Sequence, residues 1–169
     1  PNTRSVLEGC LKPGSVFVDL GANEGYFSVL ASKMVGPSGC VLAVEPQSRL
    51  QSIIHMNLYI NECFNVRVVR TALSDAETTT VELNLASEMN SGSTSLYRSA
   101  RYPMRKEAVK CMTLERLMQE AGVDRCDLMK VDVEGAEYDI FMAAGKTLRS
   151  GIIKNIALEF HEGSFTARG

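Results

Sequence analysis

An α/β fold, with a mostly parallel sheet and helices on both faces, is what this 169-residue chain predicts. Three observations lead there. Apolar runs short enough for buried strands alternate with stretches whose apolar residues recur at helical spacing, the pattern of parallel strands joined by right-handed crossovers. The first run, VFVDL, passes into a glycine-rich turn, D-L-G-A-N-E-G, at residues 19–25. The next, VLAV, ends at a carboxylate, Glu45, 20 residues after Gly25. A strand order of 3-2-1-4-5 sets these two ends side by side and places a ligand at the switch between strands 1 and 4.

Each element has its own signal. Residues 6–11 read as a short helix, closed by Lys12-Pro13-Gly14 before a first strand over residues 15–20. From Glu24 onward Phe27, Leu30 and Met34 keep helical spacing until Gly36-Pro37-Ser38-Gly39 stops the helix. A second strand, residues 41–44, leads to a helix with Leu50, Ile53, Ile54, Asn57 and Leu58 on one face. The third strand, residues 66–73, sets Arg67 and Arg70 among its valines and is expected nearer a sheet edge than the first two. Strand 4 covers residues 128–133, with a helix over 136–143, and strand 5 covers residues 155–161. The least regular part is the insertion at residues 76–110, where 78–85 and 107–112 can pair as an extra hairpin. Loops of that length are commonly functional or mobile.

Composition narrows the class. One domain spanning residues 1–169, 45% hydrophobic, is long enough to bury a core. A net charge of −2 offers no global attraction to nucleic acid. No apolar run reaches the roughly 20 residues of a membrane span. The five cysteines are odd in number, scattered, and never in C-x-x-C spacing, so they read as small apolar side chains in a reducing cytoplasm rather than as a metal site or disulfide scaffold. The oligomeric state leaves no trace in the sequence.

The glycine turn defines the cofactor question. Asp19, Gly21, Asn23 and Gly25 form a loop whose backbone can bend sharply and aim helix N–H groups at negative charge. Glu45 can accept hydrogen bonds from both hydroxyls of a ribose. A dinucleotide fingerprint wants a glycine where Asn23 stands, because the pyrophosphate lies against the backbone there. S-adenosylmethionine has no phosphate and fits the loop better. An NAD-dependent oxidoreductase remains the alternative, as does a turn whose glycines serve only the bend.

The segments D-L-G-A-N-E-G, V-E-P, R-T-A-L-S-D and, above all, D-L-M-K-V-D-V-E-G-A-E at residues 127–137 resemble the FkbM family of class I S-adenosylmethionine-dependent methyltransferases. The likeness spans residues 16–161. It implies a Rossmann-like methyltransferase sandwich, adds Ser74 and Asp75 to the cofactor-binding residues, and points to O-methylation of a small-molecule or sugar hydroxyl. The class I fold ordinarily adds two more strands after the fifth; none is expected here, which leaves a catalytically silent S-adenosylmethionine-binding module as a second reading.

Methyl transfer to a hydroxyl needs alignment of donor and acceptor and a base to take the proton. Asp132, Glu134 and His161 are the catalytic candidates at the carboxyl ends of strands 4 and 5, with Glu159 beside His161. Lys130, two residues before Asp132, points the same way and can partner it structurally. Glu134 can equally cap the next helix. His55, within an amphipathic helix, is not expected to act. The basic run with Arg98, Arg101, Arg105, Lys106 and Lys110 beside Tyr97 and Tyr102 reads first as a solvated loop, and second as a holder of an acidic substrate.

Overall fold

The computed structural model describes residues 2–75, 80–85, 105–133 and 137–159. In chain order these form α1 (Thr3–Cys10), β1 (Val16–Leu20), α2 (Tyr26–Val35), β2 (Cys40–Val44), α3 (Ser48–Ile60), β3 (Val66–Val69), β4 (Ala72–Leu73), β5 (Thr80–Leu85), β6 (Arg105–Met112), α4 (Leu114–Glu120), β7 (Leu128–Val131), α5 (Glu137–Ala143), α6 (Gly145–Arg149) and β8 (Ile156–Leu158). Five strands make one parallel sheet in the order β3-β2-β1-β7-β8, the predicted arrangement. The predicted hairpin also forms, β5 against β6, with β4 joining β6 in parallel as a second sheet.

The central strands are apolar throughout because helices cover both faces. On one side Phe17, Val41 and Leu128 pack with Leu7 of α1 and Ala31 and Val35 of α2. On the other, Val18, Leu20, Leu42, Val44, Met129 and Val131 meet Leu114 and Leu117 of α4 and Ile140 of α5. Strand alternation therefore turns Asp19, like Phe17, toward α2. The five cysteines are all free thiols, four of them at least partly buried and Cys40 exposed. Among the described residues no helix is long and apolar enough to cross a membrane.

Several boundaries differ from expectation. The third strand is broken: β3 stops at Val69, Arg70 turns to the Pro46 carbonyl and the Glu107 carboxylate, and β4 resumes in the other sheet. Strand β7 stops at Val131 and β8 at Leu158, each shorter than predicted. Ile53 is 39% exposed rather than buried, since the row that packs is Leu50, Ile54 and Leu58, one turn apart along α3. Two helices, α4 and α6, went unpredicted. For α4 the signal was present: Thr113 accepts from the Arg116 N–H as N-cap, and Leu114, Leu117 and Met118 follow at helical spacing.

Helix α3 ends in a Schellman motif. The Cys63 N–H reaches the Leu58 carbonyl and the Glu62 N–H reaches that of Tyr59, while Glu62 takes the left-handed φ of 51° usually left to glycine.

Candidate functional site

The carboxyl ends of β1, β2 and β7 converge on the glycine loop. The N–H groups of Gly21 and Ala22 both donate to the Val44 carbonyl at 3.0 Å, which folds the loop over the end of β2. Three residues of this turn take left-handed conformations: Gly21 (φ 78°), Asn23 (φ 52°) and Gly25 (φ 84°). Gly25 then serves as N-cap of α2 with no side-chain cap hydrogen bond, and the helix N-terminus opens at the loop. Gly21 meets a second demand, because a β-carbon there would collide with the carbonyl of Asp132 just past β7.

Glu45 ties the loop to β2. Its Oε2 accepts the Asn23 N–H at 2.9 Å and its Oε1 accepts the Gln47 N–H at 3.0 Å. Burial raises this carboxyl to about 7, against the pull of those N–H donors. The Asn23 Oδ1 is buried with no hydrogen-bond partner.

Beneath the loop lies a charged strut. Lys130 on β7 sends its buried ammonium to Asp19 Oδ1 (3.4 Å), to Asp132 Oδ2 (3.2 Å) and to the Gly21 carbonyl (3.2 Å), with Nζ 5.4 Å from the centre of the Phe27 ring. Burial alone would lower the Lys130 ammonium, but the two carboxylates outweigh it and hold the group above an ordinary lysine. Asp19 is fully buried. Burial pushes its carboxyl up, opposed by Lys130 and by Ser28, whose Oγ donates to Oδ2 at 2.7 Å. The Asp132 side chain remains 27% exposed at the rim.

Thus Asp19, Gly21, Asn23, Gly25, Glu45 and Asp132 come together at the carboxyl end of the central strands. Ser74 and Asp75 lie past β4, hydrogen-bonded to each other at 2.9 Å and through the Ser74 N–H to Met112. Glu134, His161 and residues 86–104 of the basic run lie outside the described residues. Glu159 is exposed, its N–H on the Val131 carbonyl. Lys106 pairs with Glu82 across the hairpin at 2.8 Å, as a solvated face does, and His55 is exposed on α3.

Two contributors were not anticipated. Ser28 fixes Asp19 from α2. Glu107 of β6 receives the Ser48 N–H on both oxygens at 3.2 Å and pairs with Arg70, so the second sheet clamps the start of α3. Only the last had no local signal, since its partners arrive from distant segments.

The Methyltransferase FkbM domain model matches residues 19–168. The chain belongs to the FkbM methyltransferase family. S-adenosylmethionine is the methyl donor this family uses, and the nicotinamide alternative falls with that assignment. Methyltransferase sdnD of Sordaria araneosa is 30% identical over 87% of this chain and 66% of its own. Methyltransferase 1 of Beauveria bassiana is 28% identical over 75% of this chain and 57% of its own. The chain thus spans about two thirds or less of the length of these relatives. The crystal structure of precorrin-6y C5,15-methyltransferase from Geobacter metallireducens GS-15 shares the fold at 18% identity, with a TM-score of 0.55 over 96% of this chain and 64% of that one.

The residues present fit the FkbM methyl donor. The Glu45 carboxylate accepts the Asn23 and Gln47 N–H groups and the Gln47 side chain, which leaves one of its four lone pairs for a ribose hydroxyl. The orphaned Asn23 Oδ1 is an acceptor awaiting a donor, and the open N-terminus of α2 suits a carboxylate.

Proposed function

We propose that this chain is the cofactor-binding and reacting part of an S-adenosylmethionine-dependent O-methyltransferase acting on a hydroxyl of a small molecule or sugar. The observation that carries the reading is the joint placement of Glu45 and the Asn23 turn over the end of β2. Glu45 would hold the ribose, and the Gly21–Gly25 turn with the N-terminus of α2 would hold the amino-acid end. Ser74 and Asp75 would reach the cofactor from the second sheet. When bound, S-adenosylmethionine supplies an electrophilic methyl group on a sulfonium.

The rest is the protein's work. Asp132, partly exposed at the rim and ion-paired to Lys130, can accept a hydrogen bond from the acceptor hydroxyl and orient it. Glu134 and His161 are the further candidates for taking its proton. Lys130 is a positioning residue, for its contacts all go to protein groups beneath the loop.

The test is calorimetric titration of the chain with S-adenosylmethionine, S-adenosylhomocysteine and NAD, followed by methyl-transfer assays on hydroxylated acceptors. Micromolar binding of both adenosyl ligands without NAD, and product from a hydroxyl but not from an amine acceptor, is the expected result. Binding without transfer to any acceptor would establish a silent binding module instead.

A further inference from the structure

Helix α3 buries one face and leaves a second apolar face in water. Leu50, Ile54 and Leu58 pack inward, yet Ile53, Met56, Tyr59 and Ile60 are 39%, 57%, 75% and 67% exposed. Ile53, Met56 and Ile60 stand at i, i+3 and i+7, a continuous stripe along the outer side, with Tyr59 flanking it. Phe64, just past the helix, is 84% exposed. Residues 50–61 contain no Asp, Glu, Lys or Arg in a chain that is 22% charged. An outward helix face is ordinarily where charge collects.

We infer that this face of α3 is a docking surface for a second copy of the chain, the two α3 helices lying antiparallel across a two-fold axis. Area is the first argument. At about 200 Å² for a residue of this size, the four α3 side chains leave on the order of 500 Å² in water. That is in the upper part of the roughly 300–600 Å² patch of a typical monomer and forms the apolar centre of an interface whose standard size is ~800 Å² per partner. Charge is the second. Around a two-fold axis each residue approaches its own copy or a near neighbour, so a charged stripe would repel itself and an uncharged one does not. Antiparallel packing also opposes the helix dipoles favourably.

The surface connects to the loop. Asn57 donates through Nδ2 to the Glu24 carbonyl at 2.7 Å, and Ile54 lies against Gly25. A second copy would therefore brace the helix that supports the glycine turn.

Sedimentation equilibrium of the 169-residue chain, from about 1 to about 100 µM, covers the range that resolves a micromolar dimer. A mass of twice 18.5 kDa is expected at the upper end. Ile60→Lys and Ile53→Glu, each with an unchanged far-ultraviolet spectrum, should be monomeric alone and should dimerise when mixed, because antiparallel packing sets residue 60 near residue 53 of the other copy. A wild-type chain that stays monomeric throughout overturns the inference and leaves the face to a different partner. A dimer that survives both single substitutions overturns it equally, by placing the contact elsewhere.

Discussion

A β-carbon on Gly21 would land on the main-chain carbonyl of Asp132, so the glycine loop and the end of β7 touch backbone to backbone. Neither side of such a contact can swing away as a side chain would. Gly21→Ala also forces a left-handed φ on alanine, about 1–2 kcal/mol by itself. We expect a total loss of more than about 3 kcal/mol in urea unfolding, with adenosyl-ligand binding lost in whatever folded protein remains. A Gly21→Ala chain that melts within a degree or two of wild type would show that the loop does not seat on β7.

Removing one member of the buried strut should cost more than removing two. Lys130→Met strands the Asp19 carboxylate in the core, an expected loss of about 3–5 kcal/mol. Adding Asp19→Asn should recover a large part of it. A double-mutant cycle by chemical denaturation checks this, and simple additivity of the two losses would disprove the coupling.

The Glu45 carboxyl makes a pH prediction with a definite sign. Its folded value, about 7, lies above the ordinary 4.5, so the folded state binds the proton more tightly than the unfolded state. Its stabilising contribution is complete below about pH 4.5 and is lost as pH rises through about 7, at most roughly 3 kcal/mol. Glu45→Gln should flatten that limb in unfolding measurements between pH 5 and 8. Ribose hydroxyls favour the ionised carboxylate, so adenosyl-ligand affinity should weaken about tenfold per unit below pH 7 in wild type but not in Glu45→Gln. Calorimetry at three pH values decides it.

Glu62 holds a backbone conformation that suits glycine better. Glu62→Gly should relieve about 1 kcal/mol of local strain, partly offset by the greater freedom of glycine in the unfolded chain. The net expectation is a melting temperature about 1–3 °C higher by scanning calorimetry. A fall in melting temperature would mean that the carboxylate makes a contact worth more than the strain.

What the sequence revealed and what it hid follow from how local each signal is. The glycine turn and Glu45 were readable because loop and carboxylate each announce themselves within a few residues. Lys130 beside Asp132 was readable from strand alternation alone. The Asp19 arm of that strut depends on the register that pairs Asp19 with Lys130 across two strands, which no local pattern encodes. The break after Val69 was hidden for the same reason: Arg70-Thr71-Ala72 keeps strand character, and the partner that draws it away, Glu107, comes from the hairpin. Ile53 misled because an exposed apolar residue on α3 looks, in sequence, like one more core position.

The pairing of β1 with β7 also shapes how the chain must fold. The Val16 N–H donates to the Asp127 carboxylate across 111 residues of sequence, and the collision point of Gly21 with Asp132 spans the same distance. The first three strands and α2 and α3 are near neighbours in the chain and can assemble early, whereas β7 must search for its place after a long loop closes, a slow, non-local step. Until that step is complete, the floor of the glycine loop is missing. A ligand of this site would therefore recognise only the finished fold, and the protein that has bound it reports, by that fact, that its two distant halves have met.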